Sequence, residues 1–549
     1  MVLIVVLVVI LLLTLGAYTF TTVMLAEADA SRMYHRDAQA RALADSGIEL
    51  VAAILGDRAG DAAALNLYDN PQLFAGGMIV DDPDPVARGR FTVVAPLEID
   101  VTGTRLRYGL IDESSKLNLN TLSESGLSAR RKKAALMRLP GMTEDVADAI
   151  LDWLDPDDEA RQNGAEVQYY AALDPPYTPR NGRIESLDEL LLVRGVTPWS
   201  LYGTDANRNG LLDPDEDLGD GTVNFGWAAF LTVHSRETNR RPDGSPKIDV
   251  NQEDLAALYD ALAAAFDDHT ATFIVAYRMY GPESTGSPSG SGGRSGSQGG
   301  SGSQQGGGQQ SGGQQDGGTG TSSRTPIIRG TIVGIHRGFD VSGGGSTTIT
   351  SLFDLVDALV PMPDPPEGED PPEDEEDVGY PAREDQTGST LLSPWQTDNP
   401  DTLDTAIARA QEMLATSTDE FIEGRVNILR ARREVLLGIP RLREDVVEAI
   451  LGAQAAIGSA GVDPSGSRGT TAWLLGEGLV DLETMRRLDR FITARGDVFR
   501  VQVVGFAEGG GPVSRQEATI DATQFPPRIL SVRDLTGLGR GYTIQELLP

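Results

Sequence analysis

The stretch Leu139–Tyr170, LPGMTEDVADAILDWLDPDDEARQNGAEVQYY, holds a helical phrase and, directly after it, a dense run of acids. Val146, Ala149, Ile150 and Trp153 recur at helical spacing, so one face of a helix is buried. Pro156 disfavours helix at Asp155 and throws Asp155, Asp157, Asp158, Glu159 and Glu166 into a loop. So many like charges in a short loop repel unless something positive is held between them. A hard cation such as calcium, a general acid/base pair and a plain solvated loop are the three readings that spacing leaves open.

The helical phrase returns later in the chain. Leu139–Leu151, LPGMTEDVADAIL, and Ile439–Leu451, IPRLREDVVEAIL, agree at seven of thirteen positions. Each follows a lead-in of one type, KLNLN (Lys116–Asn120) and RVNIL (Arg425–Leu429). A third lead-in, KIDVN (Lys247–Asn251), precedes the helical DLAALYDALAAAFDD and TATFIVAYRMY. Ser186–Thr197, SLDELLLVRGVT, and Ser351–Val356, SLFDLV, are further relics. A repeated helix–tight-turn–helix unit is therefore the organising theme.

The 549 residues suffice for roughly two to four domains. A formal net charge of -35 argues against nucleic-acid binding, which needs clustered Lys and Arg to neutralise phosphates. The chain has no cysteine, which excludes disulfides, thiolate zinc sites and a Cys nucleophile. His35, His234, His269 and His336 lie far apart in sequence, which speaks against a His-based metal site or a Ser-His-Asp triad.

Met1–Ala26 contains no charge, and its aliphatic run MVLIVVLVVILLLTL is long enough to span a bilayer core of ~30 Å. AEADASRMYHRDAQARALADSGIELVAAIL continues it as an amphipathic helix whose apolar side includes Ala38, Ala42, Leu43, Ile48, Val51 and Ile54. Between Arg88 and Asp112, RFTVV, LEIDV and LRYGLID read as short strands. DVFRVQVVGFAEGGGPVSRQEATIDA reads as two more, joined by a turn at Gly509–Gly511. Strands near both ends with helices between them predict one sheet interrupted by a helical insertion.

Gly281–Ser323 is a Gly, Ser and Gln linker, and Asp364–Asp385 carries eleven acids and one Arg among prolines. The resulting division is a transmembrane helix (1–26), its amphipathic continuation (27–56) and a β-rich head segment (57–115). A helical insertion (116–280) and the first linker (281–325) follow. Then come a short ordered segment (326–361), the acidic linker (362–390), a second helical repeat region (391–494) and the C-terminal strands (495–549).

Asp205–Glu216, DANRNGLLDPDE, satisfies the calcium-loop template D-x-[DN]-x-[DN]-G-x5-E at every fixed position. Asp205, Asn207 and Asn209 offer side-chain oxygens, and Gly210 permits the sharp turn. Leu211 offers its carbonyl, Asp213 acts directly or through water, and Glu216 chelates with both oxygens. Pro214 is an unusual intrusion, and the flanks do not look like two full EF-hand helices.

A membrane helix running straight into an amphipathic helix at the N-terminus is the layout of type IV pilins and pseudopilins, and ARALADSGIEL (Ala40–Leu50) is similar to their phrase after the membrane segment. No acid precedes Glu27, a trait of the minor pseudopilin K family of type II secretion. DESSKLNLN (Asp112–Asn120), DWLDPDDEARQNGAEVQYY and YTPRNGRIESLDELLLVRGVT (Tyr177–Thr197) resemble the same family. That resemblance implies an α+β fold: a pilin-like helix, a small head with antiparallel strands, and a large inserted domain of helix-hairpin-helix or SAM-like repeats. It implies a non-enzymatic component in the bacterial inner membrane, single-pass, its soluble part periplasmic. It implies a place at the pseudopilus tip beside the I- and J-type minor pseudopilins, and structural calcium. Asp155, Asp157, Asp158 and Glu166 become candidate ligands on that view. A basic leader ending in Gly is expected upstream of Met1.

Two competing functions remain. Helix-hairpin-helix modules in many proteins bind DNA phosphates, which makes a membrane-anchored DNA-uptake protein one alternative. Here the turns read Pro-Gly-Met and Pro-Arg-Leu, without a basic stripe. An envelope hydrolase using the acidic cluster is the other, though nothing supplies a nucleophile or a small-molecule binding signature.

Overall fold

The uncharged N-terminal run and its amphipathic continuation form one helix in the computed structural model, α1 (Val2–Gly56). Residues 2–57, 66–97, 105–219, 224–283, 344–361, 390–398, 400–457 and 468–548 are described. The first half of α1 is exposed throughout and is long and apolar enough to cross a membrane, consistent with a single-pass anchor. Its buried stripe starts at Ala40 and runs through Leu43, Ala44, Gly47, Ile48, Val51, Ala52 and Leu55. Ala38 and Ala42, expected on that face, are exposed. Alanine fits either side of a helix, so only the larger residues fix the face that packs.

The stripe lies on an antiparallel sheet. Strands β1 (Gly77–Val80), β2 (Gly89–Pro96), β3 (Val498–Ala507), β4 (Val513–Asp521) and β5 (Arg528–Asp534) are neighbours in that order. The central pairing joins the two ends of the sequence, with Val94 opposite Gln502 and Arg90 opposite Phe506. Ile48, Val51 and Leu55 meet Phe91, Val93, Val501, Val503 and Ile520 in one apolar cluster. Each such side chain contributes about 1.5–3 kcal/mol when fully buried. Gly47 permits the close approach: a Cβ there would lie 2.6 Å from Val503 Cγ1 and 2.7 Å from a Phe91 ring carbon. RFTVV falls in β2, LRYGLID supplies two short strands, and the two C-terminal runs form β3 and β4. Strand β5 went unread in the sequence, although its burial is low enough to leave only weak alternation. Residues 98–101 of LEIDV, nearly all of the Gly/Ser/Gln linker and the acidic linker lie outside the described residues.

Between β2 and β3 lie helices and short two-stranded sheets among the described residues, and the chain divides into two units, residues 1–247 with 397–549, and residues 248–396. In the first unit, α2 (Ala129–Leu136) turns into α3 (Glu144–Leu154), and α4 (Arg433–Gly438) turns into α5 (Glu444–Ile457). The helix α2 also packs against α4. The lead-in strands behave alike, Leu117–Asn118 pairing parallel with Leu231–Thr232 and Val426–Asn427 with Ile492–Thr493. Helix α3 is buried all round rather than on one face, Asp148 and Asp152 included. Its acids tolerate this because each has a cation: Lys133 lies 3.0 Å from Asp148, and Arg161 pairs with Asp152.

In the second unit, Leu255–Ala265 packs against Asp268–Tyr280, beside a small sheet of Leu359–Pro361 and Thr390–Leu392. The relics of the repeat share a device within each unit. Asn120 receives the Ile184 N–H at 2.9 Å and donates to the Ile184 carbonyl at 3.0 Å. Asn251 does the same with Ile349, at 2.9 and 2.8 Å. A single amide side chain thus mimics a strand neighbour and pins the SLDEL or SLFDL segment to its lead-in.

Candidate metal centre

The helix α3 stops at Leu154, where Asp155 takes an extended conformation before Pro156. The chain loops out and returns so that the carboxylates of Asp155, Asp157 and Glu166 each place an oxygen within 4.8 Å of the others. Among the described residues this is the group of three carboxylates close enough to share an ion. Glu166 is 3 % exposed, and neither of its carboxylate oxygens has a hydrogen-bond partner. Asp155 Oδ1 is likewise without one. Burial, reinforced by Asp152, Asp155, Asp158 and Asp157, pushes the Glu166 carboxyl up to about 7. A buried, unpaired carboxylate facing two others fits a hard, oxygen-loving cation. Asp158 turns aside, its Oδ1 accepting from Asn181 Nδ2 at 2.8 Å.

Part of the loop's charge is already neutralised within it. Arg161 bridges Asp152 and Asp155, and Asp152 also accepts from the Arg161 backbone N–H at 3.2 Å. Gly164 sits so close that a Cβ would fall 1.7 Å from Asp152 Oδ2. Behind the loop, Trp153 meets Tyr170 edge-on at 5.1 Å, and Tyr177 stacks tilted on Tyr170 at 5.3 Å. Trp153 Nε1 donates to Glu189 at 3.1 Å, tying the aromatic cluster to the SLDEL segment. The acidic side of the loop thus rests on a rigid apolar base.

The Asp205–Glu216 loop is folded differently. Asp205 and Glu216 are buried, but their oxygens are engaged by the loop's own backbone. Asp205 accepts from the N–H groups of Asn209 and Gly210, both at 3.0 Å, and Glu216 accepts from Ala206 at 2.8 Å. Asn207 and Asn209 direct their amide groups to Asp213. The Leu211 N–H donates to Asn209 Oδ1 at 2.7 Å. Burial, with Glu216 beside it, pushes the Asp205 carboxyl up to about 6. The loop is anchored on the head: Tyr542 donates to the Asn209 carbonyl at 2.7 Å, and Arg515 to those of Asn207 and Arg208, both at 3.0 Å. The two candidate sets are therefore separate, one with unsatisfied oxygens and one whose template is closed by internal hydrogen bonds.

Residues 115–202, which contain the whole Asp155–Glu166 loop, match the family model for type II secretion system (T2SS), protein K. This segment resembles the protein K family. The type II secretion system protein K of Aeromonas hydrophila is 34% identical over 136 residues, covering 21% of this chain and 40% of the relative. That of Pectobacterium carotovorum subsp. carotovorum is 30% identical over 113 residues, covering 18% and 34%. The chain therefore spans less than half the length of either relative. A structure of the GspK-GspI-GspJ complex from the type 2 secretion system of enterotoxigenic Escherichia coli matches over 92% of this chain and 99% of its own. Its TM-score is 0.36 at 10% identity, a likeness too low to carry an argument.

The protein K segment also contains what the sequence reading missed. Arg161 is the one cation of the acidic loop, and its bridge to Asp152 could have been suspected from that isolation. Asn181 could not: it reaches Asp158 and the Asp157 carbonyl from a separate segment, with φ 48°. The Asp205–Glu216 loop falls outside the matched residues.

Proposed function

We propose that this chain is a non-enzymatic minor pseudopilin of type II secretion, a K-type subunit supporting protein export across the outer membrane. On this reading α1 anchors it in the inner membrane, its soluble part is periplasmic, and it sits at the pseudopilus tip with I- and J-type minor pseudopilins. The observation that carries the reading is the protein K segment at residues 115–202, in a chain that begins with a helix apolar enough to span a bilayer. The sheet joins both ends of the sequence, so it can serve as a head held on α1. The paired units α2–α3 and α4–α5 are helix-hairpin-helix repeats in this account.

Calcium is the structural ion of the proposal. Asp155, Asp157 and Glu166 would hold it, with Asp158 at the margin. Asp205, Asn207, Asn209, Leu211, Asp213 and Glu216 form a second candidate set, whose hydrogen bonds would have to open to admit an ion. The ion supplies only charge neutralisation, which lets Glu166 stay ionised while buried. The chain's own residues do the rest: Arg161 holds the start of the loop and the Trp153–Tyr170 base fixes its return.

Deletion of the chain from its host tests the assignment. Export of type II substrates should stop and be restored by the intact gene, and the tagged chain should co-purify with I- and J-type subunits. Normal export together with an absence of those partners would reject it.

A further inference from the structure

A cavity of about 130 Å³ lies in the first unit, away from the acidic loop, between the head sheet and the Asp205–Gly210 turn. The chain carries a formal net charge of -35, yet Lys116, Arg208, Arg430, Arg432, Arg500 and Arg533 line this cavity. Asp205 and Glu517 are the acids among its lining residues. Some of the cations are matched from behind. Glu113, 2 % exposed, lies 2.6 Å from Lys116 and 3.0 Å from Arg500, and Asp188 bonds Arg533.

Arg208 stands apart from these. It makes no ion pair among the described residues, and its guanidinium lies 3.8 Å over the Tyr202 ring. Arg533 also lines the cavity but already has Asp188 as its partner, so Arg208 is the guanidinium left to meet a further anion. A planar guanidinium fork donates in pairs to carboxylate or phosphate oxygens. Phe225, which lies under the Arg432 guanidinium at 5.3 Å, and the small side chains of Ala228 and Ala229 also line the cavity.

We propose that this cavity binds a compact organic oxyanion, a carboxylate or phosphate on a short carbon stem, with Arg208 as its principal contact. The charge faces the arginines and the stem lies against Phe225 and the alanines. Asp205 and Asn209 of the second candidate calcium set also line the cavity, so calcium is held fixed in the test.

The test is isothermal titration calorimetry on the full chain in non-ionic detergent, at fixed calcium and ionic strength. Glutarate and ethyl phosphate are the probes and a diammonium alkane is the control. At least one anion should bind saturably with one site per chain, and the control should not bind. Arg208→Ala should weaken binding about tenfold or more, with Arg208→Lys between it and the parent. Ala229→Phe adds bulk to the cavity lining without replacing a charged residue and should abolish binding; its melting temperature and that of Arg208→Ala establish that both are folded. Saturable binding by neither anion, or binding by Arg208→Ala and Ala229→Phe as tight as the parent's, would overturn the proposal.

Discussion

The units α2–α3 and α4–α5 have the same local structure and different surroundings. In both, the turn opens with a bond from the residue before proline to the preceding helix, Leu139 to Leu136 at 3.0 Å and Ile439 to Leu436 at 3.1 Å. In both, a cation on the first helix reaches two acids on the second: Lys133 to Glu144 and Asp148, and Arg433 to Glu444 and Glu448. In both, the turn passes through the left-handed region, at Gly141 with φ 67° and at Arg441 with φ 72°. They part after the second helix. Helix α3 runs into Pro156 and the acidic loop, whereas α5 continues to Ile457 through small residues. One copy of the unit is thus a scaffold alone, and the other is a scaffold with a candidate ion site at its end.

The largest expected effect separates the copies through the ion. Calcium at about a hundred times its dissociation constant should stabilise the full chain by about 2.7 kcal/mol, read as a raised melting temperature that chelator reverses. Glu166→Gln should abolish that response, and in chelator it should melt higher than the parent, since it removes a buried, unpaired carboxylate. Glu448→Gln, on the plain copy, should leave the calcium response intact. If Glu166→Gln keeps the full response, the ion site is not in this loop.

The turns give the next effect. Gly141→Ala meets no neighbouring atom within 4 Å, so its cost is backbone strain alone, about 1–2 kcal/mol in denaturant unfolding. Arg441→Gly should move stability the other way by about 0.5–1 kcal/mol, the strain relieved less the entropy that glycine adds to the unfolded chain. Equal and opposite failure, with Arg441→Gly destabilising, would show that the Arg441 side chain does more than tolerate the turn.

A smaller effect concerns the lead-ins, where the two copies meet. Asp112 receives Asn427 Nδ2 at 2.7 Å and the Ser114 N–H at 2.8 Å, and burial, opposed by those bonds, pushes its carboxyl up to about 6 from an ordinary 3.8. The folded chain therefore holds this proton more tightly than the unfolded one. The associated stability is present below about pH 3.8 and is lost as pH rises through about 6. Asp112→Asn should remove that component, so the difference in melting temperature between it and the parent should grow in the variant's favour from pH 4 to pH 7. A difference that stays flat with pH would mean the carboxyl titrates normally.

Several features were legible in the chain itself because they depend on neighbours in sequence. Pro156 ends α3, the seven shared positions give two units of one shape, and the apolar run makes one long helix. The alternation of VFRVQVV and its partner makes a hairpin with its turn at Gly509–Gly511. Other features depend on residues hundreds of positions apart, and no local pattern encodes them. The pairing of β2 with β3, the Asn120 clamp on Ile184 and the reach of Asn181 to Asp158 are of this kind. So is the contrast between the two acid-rich loops. The template of Asp205–Glu216 is a property of spacing, but Asp205 and Glu216 spend their oxygens on the loop's own amides while the head grips the loop's carbonyls. The Asp155–Glu166 loop matches no template, yet the fold buries Glu166 without a partner beside two further carboxylates. Spacing determines which side chains could share an ion. Burial and competition for hydrogen bonds, which only the tertiary structure sets, decide which of them are left needing one.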